Sequence, residues 1–199
     1  MKEICTILFS NFETLDVFGP IEILGRLKGH FVPQFYSQNG GIIISSQNEP
    51  VITKPVSEFN STDYILLIPG GHGTRDLVQD NTIIDTLASL AKNARYILTV
   101  CTGSILFSKT GLLNGKRATS NKRAFHWTKT ESPDVIWIKK ARCIKDGTIY
   151  SSSGVSAGMD MTLGFISDVL GYDIAKQLGM EIEYDWKEDS LWDPFSEIY

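Results

Sequence analysis

The sequence predicts an α/β sandwich with a mostly parallel central sheet, and two observations carry that prediction. Apolar runs of strand length in ICTILFS (4–10), DYILLIPGG (63–71) and YILTV (96–100) lack the polar alternation of a half-exposed strand. Continuous runs of this kind suit parallel strands covered by helices on both faces. The segments between them have helical spacing, and strand–helix alternation is the pattern of a parallel sheet layered with helices.

ICTILFS (4–10) opens the chain as a strand. LDVFGPIEILGRL (15–27) follows as a helix despite its Gly-Pro step, since a proline is accommodated in a first turn. FVPQFYS (31–37) reads as a strand, and GIIISS with EPVITK (41–54) as a hairpin pair. DYILLIPGG (63–71) is a buried strand breaking at a Pro-Gly-Gly turn. NTIIDTLASLAKN (81–93) reads as a helix with Asn81 available as its cap. YILTV runs straight into CTGSILFSKTGLL, a helix near whose end Gly111 can serve as C-cap. A short strand around RATS, a polar helix near NKRAFHWTK and strands around DVIWIK and TIYSSS come next. SAGMDMTLGFISDVLG (156–171) and YDIAKQLGMEIEY (172–184) read as two consecutive helices. The acidic, aromatic tail from Asp185 onward has no clear periodicity.

The 199 residues suit one domain, 1–199, at roughly 100–200 residues per domain. Hydrophobic residues at 42% and charged residues at 21% describe a globular chain able to bury a core without disulfides or metals. The net charge of -4, with Lys and Arg scattered, leaves no footprint for nucleic acid or an anionic membrane. The N-terminal MKEICTILFSNFETLDVF reads as a first strand and not as a signal peptide. No stretch approaches the ~20 apolar residues that cross a bilayer. Three cysteines, Cys5, Cys101 and Cys143, without CxxC spacing, argue for reduced thiols in a cytoplasmic protein and against a disulfide framework or zinc site.

Cys101 is the candidate nucleophile, because it stands where a buried strand turns into a helix. Such a turn presents a side chain over the carboxyl ends of the strands, where open parallel sheets bind their ligands. A helix N-terminus there favours a thiolate, and small residues such as Gly103 let the helix approach closely. Cys5 and Cys143 lie inside apparent strands and read as packing residues. Gly70 and Gly71, in PGGHG, end a second buried strand and can turn backbone amides toward a ligand as an oxyanion hole. Asp16 lies between the first strand and first helix, at the same end of the sheet if that strand is parallel. It can either move protons at a reacting thiol or cap the helix. Glu22 is a second acid, placed a turn or more into the helix. His72 and His126 are the histidines that could approach the thiol, and neither belongs to a motif. Three separated histidines give no metal site.

LDVFGPIEIL, DYILLIPGG, VCTGSILFSKTGLLNGKRAT and SSGVSAGMDMTLGFISDVLG together resemble the ThiJ/PfpI family, within the class I glutamine amidotransferase-like superfamily. Among its branches the isonitrile hydratase-like one is the most similar. The resemblance implies a flavodoxin-like three-layer α/β sandwich, a homodimer, and a cysteine at a nucleophile elbow. It maps a catalytic set onto Asp16, Cys101 and Thr102, and implies cofactor-free addition of water to a small-molecule isonitrile, giving an N-substituted formamide.

Thr102 stands where the family's peptidases carry His, which counts against protease or amidase activity. The chain leaves no room for the AraC-type DNA-binding domain that regulatory relatives append, and NKRAFHW departs from a shorter THW-type segment of the hydratases. Three other activities stand beside the hydratase reading: a glyoxalase-like small-carbonyl enzyme, a cysteine redox or electrophile sensor, and the protease or amidase.

Overall fold

A computed structural model describes residues 1–199. Ten strands and seven α-helices alternate through the chain: β1 (Lys2–Ile7), α1 (Thr14–Arg26), β2 (Phe31–Ser37), β3 (Gly41–Ile44), β4 (Pro50–Pro55), β5 (Tyr64–Ile68), α2 (Thr74–Leu77) and α3 (Asn81–Ala91) make the first part. β6 (Tyr96–Val100), α4 (Gly103–Ser108), β7 (Arg117–Ala118), α5 (Phe125–Glu131), β8 (Ile136–Trp137), β9 (Cys143–Asp146), β10 (Ile149–Ser152), α6 (Ala157–Leu170) and α7 (Tyr172–Glu181) complete it.

Eight strands form the central sheet in the order β3-β4-β2-β1-β5-β6-β10-β9. Only β3 and β9, at its two edges, run antiparallel to their neighbours. The unalternated apolar runs are explained by burial on both faces. Along β5, Tyr64, Leu66 and Ile68 enter one core with Ile83, Leu87 and Leu90 of α3 and Ile105 and Leu106 of α4. Ile65 and Leu67 enter the other, with Ile23 and Leu24 of α1, Met161 and Phe165 of α6 and Leu178 of α7. This is the α/β sandwich expected. No helix is long and apolar enough to cross a membrane.

Several boundaries differ from expectation, each for a local reason. Asp80, not Asn81, caps α3: its carboxylate accepts the Thr82 N–H at 2.8 Å. Pro20 sits beyond the first turn of α1, where the Gly19-Pro20 step lets α6 come close. A Cβ at Gly158 would already stand 3.5 Å from Pro20 Cγ. DVIWIK keeps only Ile136 and Trp137 in strand geometry, because their sole partner is the two-residue β7. The helix after Cys101 stops at Ser108, and Gly111 ends the run at φ +77° with its N–H donating to the Ser108 carbonyl. α7 stops at Glu181 because Glu183 turns left-handed and the Tyr184 N–H returns to the Gly179 carbonyl at 2.9 Å.

The aperiodic tail is ordered by polar contacts. The Ser190 carbonyl accepts the N–H groups of Arg142 and Cys143, closing off the edge at β9. Asp193 is buried 3.4 Å from the ammonium of Lys122, itself buried. Lys122 Nζ also donates to Thr119 Oγ1 and to the carbonyls of Ser120 and Ala141. Burial lowers the Lys122 pKa to about 8 against the pull of Asp193. Removing one partner of such a pair leaves an uncompensated charge in the interior. Asp193→Asn is therefore expected to cost about 3–5 kcal/mol, read as a lowered denaturation midpoint at neutral pH. A midpoint equal to wild type would mean the tail is not anchored through this pair.

Candidate active site

Five chain crossings meet at the carboxyl end of the sheet. β6 ends at Val100, and Cys101 then adopts φ +57°, in the left-handed region. For a residue with a side chain such a conformation costs on the order of 1–3 kcal/mol and persists only where the surroundings over-determine it. Here the Cys101 N–H donates to the Ser153 carbonyl at 3.1 Å. Its own carbonyl accepts the hydroxyls of Ser104 and Ser120, each at 2.9 Å. Gly103 follows where a Cβ would stand 2.3 Å from the Ile68 carbonyl oxygen and 2.7 Å from that of Pro69. α4 can start directly over the end of β5 only because that residue lacks a side chain.

Gly70 is equally confined. A Cβ there would lie 2.5 Å from Thr102 N, 2.6 Å from Thr102 Oγ1 and 2.9 Å from Asp16 Oδ2. The Gly70 N–H donates to Asp16 Oδ2 at 2.9 Å. The Gly71 N–H donates to Thr102 Oγ1 at 3.0 Å, and the Thr74 hydroxyl lies 3.0 Å from the same oxygen. This corrects the oxyanion-hole expectation for Gly70 and Gly71, whose amides are engaged in holding Asp16 and Thr102. The groups facing the Cys101 sulfur are instead the N–H of Thr102, the N–H of Val155 and the side chain of Asn121. Gly103 is a spacer within the elbow and does not face the cleft.

Asp16 is fully buried in the first turn of α1 and is not its cap. Its Oδ1 has no hydrogen-bond partner among the surrounding polar groups, and the Cys101 side chain faces the carboxyl. Burial above all raises the Asp16 pKa well beyond the usual carboxylate range; the Gly70 N–H pulls it down, and the charge of Glu13 adds to the rise. Cys101 is 6% exposed. Burial, then the nearby Asp16 charge, push its thiol up, and the three donors around the sulfur only partly offset them. The low thiol pKa expected at a helix start is therefore not found. α4 is only six residues long, and burial of the sulfur beside the Asp16 carboxyl sets the direction of the shift.

The sulfur opens on a cleft of about 340 Å³ walled by Glu13, His72, Arg75, Asn121, Arg123 and Val155. His72 reaches this cleft but is not among the groups bonded to the Cys101 sulfur, so no Cys–His pair is assembled. His126 is exposed and lies outside it, and Glu22 is exposed in a salt bridge with Arg26 at 2.7 Å. Cys5 is buried within β1, and Cys143 is half-buried at the start of β9. The chain groups no three His, Cys, Asp or Glu side chains that could hold a metal ion. Sequence reading missed Asn121, Val155, Arg75, Arg123 and Glu13 as parts of the site. NKRAFHW was visible as a basic stretch, whereas nothing local marks Val155, which carries an unusual φ of +48°.

A left-handed cysteine between a parallel strand and a helix, backed by a buried carboxyl, defines a thiol-bearing α/β sandwich of the nucleophile-elbow kind. The chain belongs to the DJ-1/PfpI family, whose profile matches residues 2–168. It is 29% identical over 182 residues to an isonitrile hydratase of Pseudomonas putida, covering 89% of this chain and 76% of that protein. It is 24% identical over 124 residues to protein/nucleic acid deglycase 2 of Escherichia coli, covering 61% of this chain and 72% of that one. A crystal structure of a ThiJ/PfpI family protein from Pseudomonas syringae superposes with a TM-score of 0.79 at 24% identity, over 92% of this chain and 75% of that one. The same flavodoxin-like sandwich underlies both structures.

The buried carboxyl has a stability signature. The folded pKa of Asp16 is raised, so its contribution is fully present below the unfolded carboxylate pKa and is lost as pH rises toward the folded value. Asp16→Asn keeps an acceptor for the Gly70 N–H without the titration. The variant is expected to be at least as stable as wild type at neutral pH, with a flatter decline in thermal midpoint from about pH 4 upward. A decline as steep as wild type would show that Asp16 ionises freely in the fold.

Proposed function

We propose that the protein is a cofactor-free cysteine enzyme that adds water to an isonitrile, releasing an N-substituted formamide. The observation that carries this reading is the Asp16 carboxyl, buried, raised in pKa and facing the Cys101 sulfur. An isonitrile carbon must gain both a proton and a nucleophile, and a neutral acid beside a thiol supplies the two together. The Asp16 carboxyl gives its proton to the terminal carbon while Cys101 Sγ bonds to it, and the thiol proton passes to the Asp16 carboxylate. The product is a thioimidate, R–N=CH–S–Cys101. Water then adds to its carbon as the nitrogen takes a proton through Asp16. The C–S bond breaks, the sulfur leaves with the proton of the new hydroxyl, and R–NH–CHO departs.

The amides of Thr102 and Val155 and the Asn121 side chain suit the charge that develops on sulfur in both directions. Thr102 Oγ1, held by Gly71 and Thr74, keeps the elbow in register with the turn after β5. The similarity to the Pseudomonas putida isonitrile hydratase points the same way. A small-carbonyl activity is the second reading, favoured by the similarity to the Escherichia coli deglycase. The sensor reading is weakened by the same burial, since peroxide oxidises thiolates, and burial with the neighbouring Asp16 pushes the Cys101 thiol up.

A panel of isonitriles, with formamide release followed by chromatography, tests the proposal. Turnover is expected for at least one member, with kcat/KM falling about 10³-fold or more in Cys101→Ala and roughly 10²–10⁴-fold in Asp16→Asn. No conversion across the panel by protein with intact Cys101, together with lactate formation from methylglyoxal, would move the assignment to the carbonyl reading.

A further inference from the structure

The cleft wall carries more polar and charged side chains than a hydrocarbon ligand would use. Of its side chains only Cys101, Ala124 and Val155 are apolar, while Arg75 and Arg123 both border it. Ligand pockets are usually lined mainly by apolar groups, with a few polar ones fixing orientation. Here polar side chains outnumber apolar ones, and within a chain of net charge -4 the two guanidinium groups share the cleft with one acidic residue, Glu13.

Neither guanidinium is in a salt bridge, the paired arginines of the chain being Arg26, Arg95 and Arg142. Arg75 Cζ lies 3.7 Å from the centre of the Trp127 ring, stacked over it. Trp127 is held by its indole N–H, which donates to Glu131 Oε1 at 3.1 Å. Glu131 in turn is paired with Lys109 at 2.7 Å. The stack immobilises Arg75 while leaving the edge of its planar fork for a ligand, which reduces the entropy lost on binding. Arg123 borders the same cleft, with its guanidinium 5.9 Å from the ring of Tyr199.

We propose that the substrate carries a carboxylate, bound by Arg75 and Arg123, with its electrophilic end at Cys101. The inference rests on the cysteine-enzyme reading for what reacts, and on the arginine pair for what is recognised. The substrate is thus a small anionic electrophile, in the leading reading an isonitrile of an amino-acid-sized carboxylic acid. Arg75 supplies the bidentate contact, because its guanidinium is planar, stacked and fixed. Arg123, bordering the same cleft, adds a second positive charge.

Alkylation of Cys101 tests the arginine pair without any turnover. The rate with iodoacetate divided by that with iodoacetamide, followed by peptide mass spectrometry, is compared with the same ratio for N-acetylcysteine. The ratio at Cys101 is expected to exceed the free-thiol ratio about tenfold and to collapse toward it in Arg75→Gln/Arg123→Gln, a charge-assisted contact being worth about that factor. Both arginines are exposed, so the fold is expected to survive the change. A ratio at or below that of the free thiol, or one unchanged in the double variant, overturns the inference. If the buried sulfur reacts with neither reagent, calorimetric binding of N-formylglycine against its methyl ester replaces the ratio. Equal affinities, or no loss in the double variant, overturn the inference there too. Turnover of isocyanoacetate against methyl isocyanoacetate separates the two claims. Anion selectivity without turnover of either leaves the subsite standing and removes the hydratase reading. Equal turnover of both, without selectivity, does the reverse.

Discussion

One close approach governs the rest of the molecule: the backbone at Thr102 passes so near Gly70 that not even a methyl group fits between them. That contact brings the loop after β6 against the loop after β5, and it traps the Asp16 carboxylate in the same space. Three segments far apart in sequence are thereby fixed relative to one another by steric exclusion and by backbone N–H groups donating to the short side chains of Asp16 and Thr102. The reacting sulfur inherits the rigidity of the sheet.

Holding the site this way carries two energetic penalties that the surrounding fold must absorb. A non-glycine residue sits in left-handed geometry at Cys101, and another at Val155. A carboxyl sits in the interior with one oxygen unpartnered. Each penalty is a few kcal/mol at most, against about 1.5–3 kcal/mol for each large apolar side chain that the two cores bury. Leu66 and Ile68 of β5 join Ile105 and Leu106 of α4 in one core, all four fully buried, while Cys101 itself joins the other core with Leu98 and Val100.

Much of this was legible in the sequence, because the informative signals were local. Continuous apolar runs can be satisfied only by strands covered twice, and a cysteine directly after one of them has a single sensible exposure. Asp16, Cys101 and Thr102 do converge, as their positions at strand ends implied. What failed depended on contacts across the chain. The glycines after β5 were read as donors to a ligand, yet their amides are taken by Asp16 and Thr102. The thiol was read as acidic from its helix, whereas burial decides the sign. Asn121 and Val155 come near the sulfur only through the packing of β10 beside β6 and of β7 against β9 and β10, which no local pattern records. Asn81 against Asp80 is a smaller error of the same origin, two adjacent capping residues differing by one hydrogen bond.

The ion pair between Lys122 and Asp193 ties the segment carrying Asn121 to the far C-terminal region. During synthesis, every strand of the sheet leaves the ribosome before Asp193 does. A nascent chain can thus assemble its sheet and elbow while the strap beside the sulfur is still loose. When Asp193 docks, its ion pair fixes Lys122, the sequence neighbour of Asn121. Translation order thus places the anchoring of that segment after the assembly of the sheet.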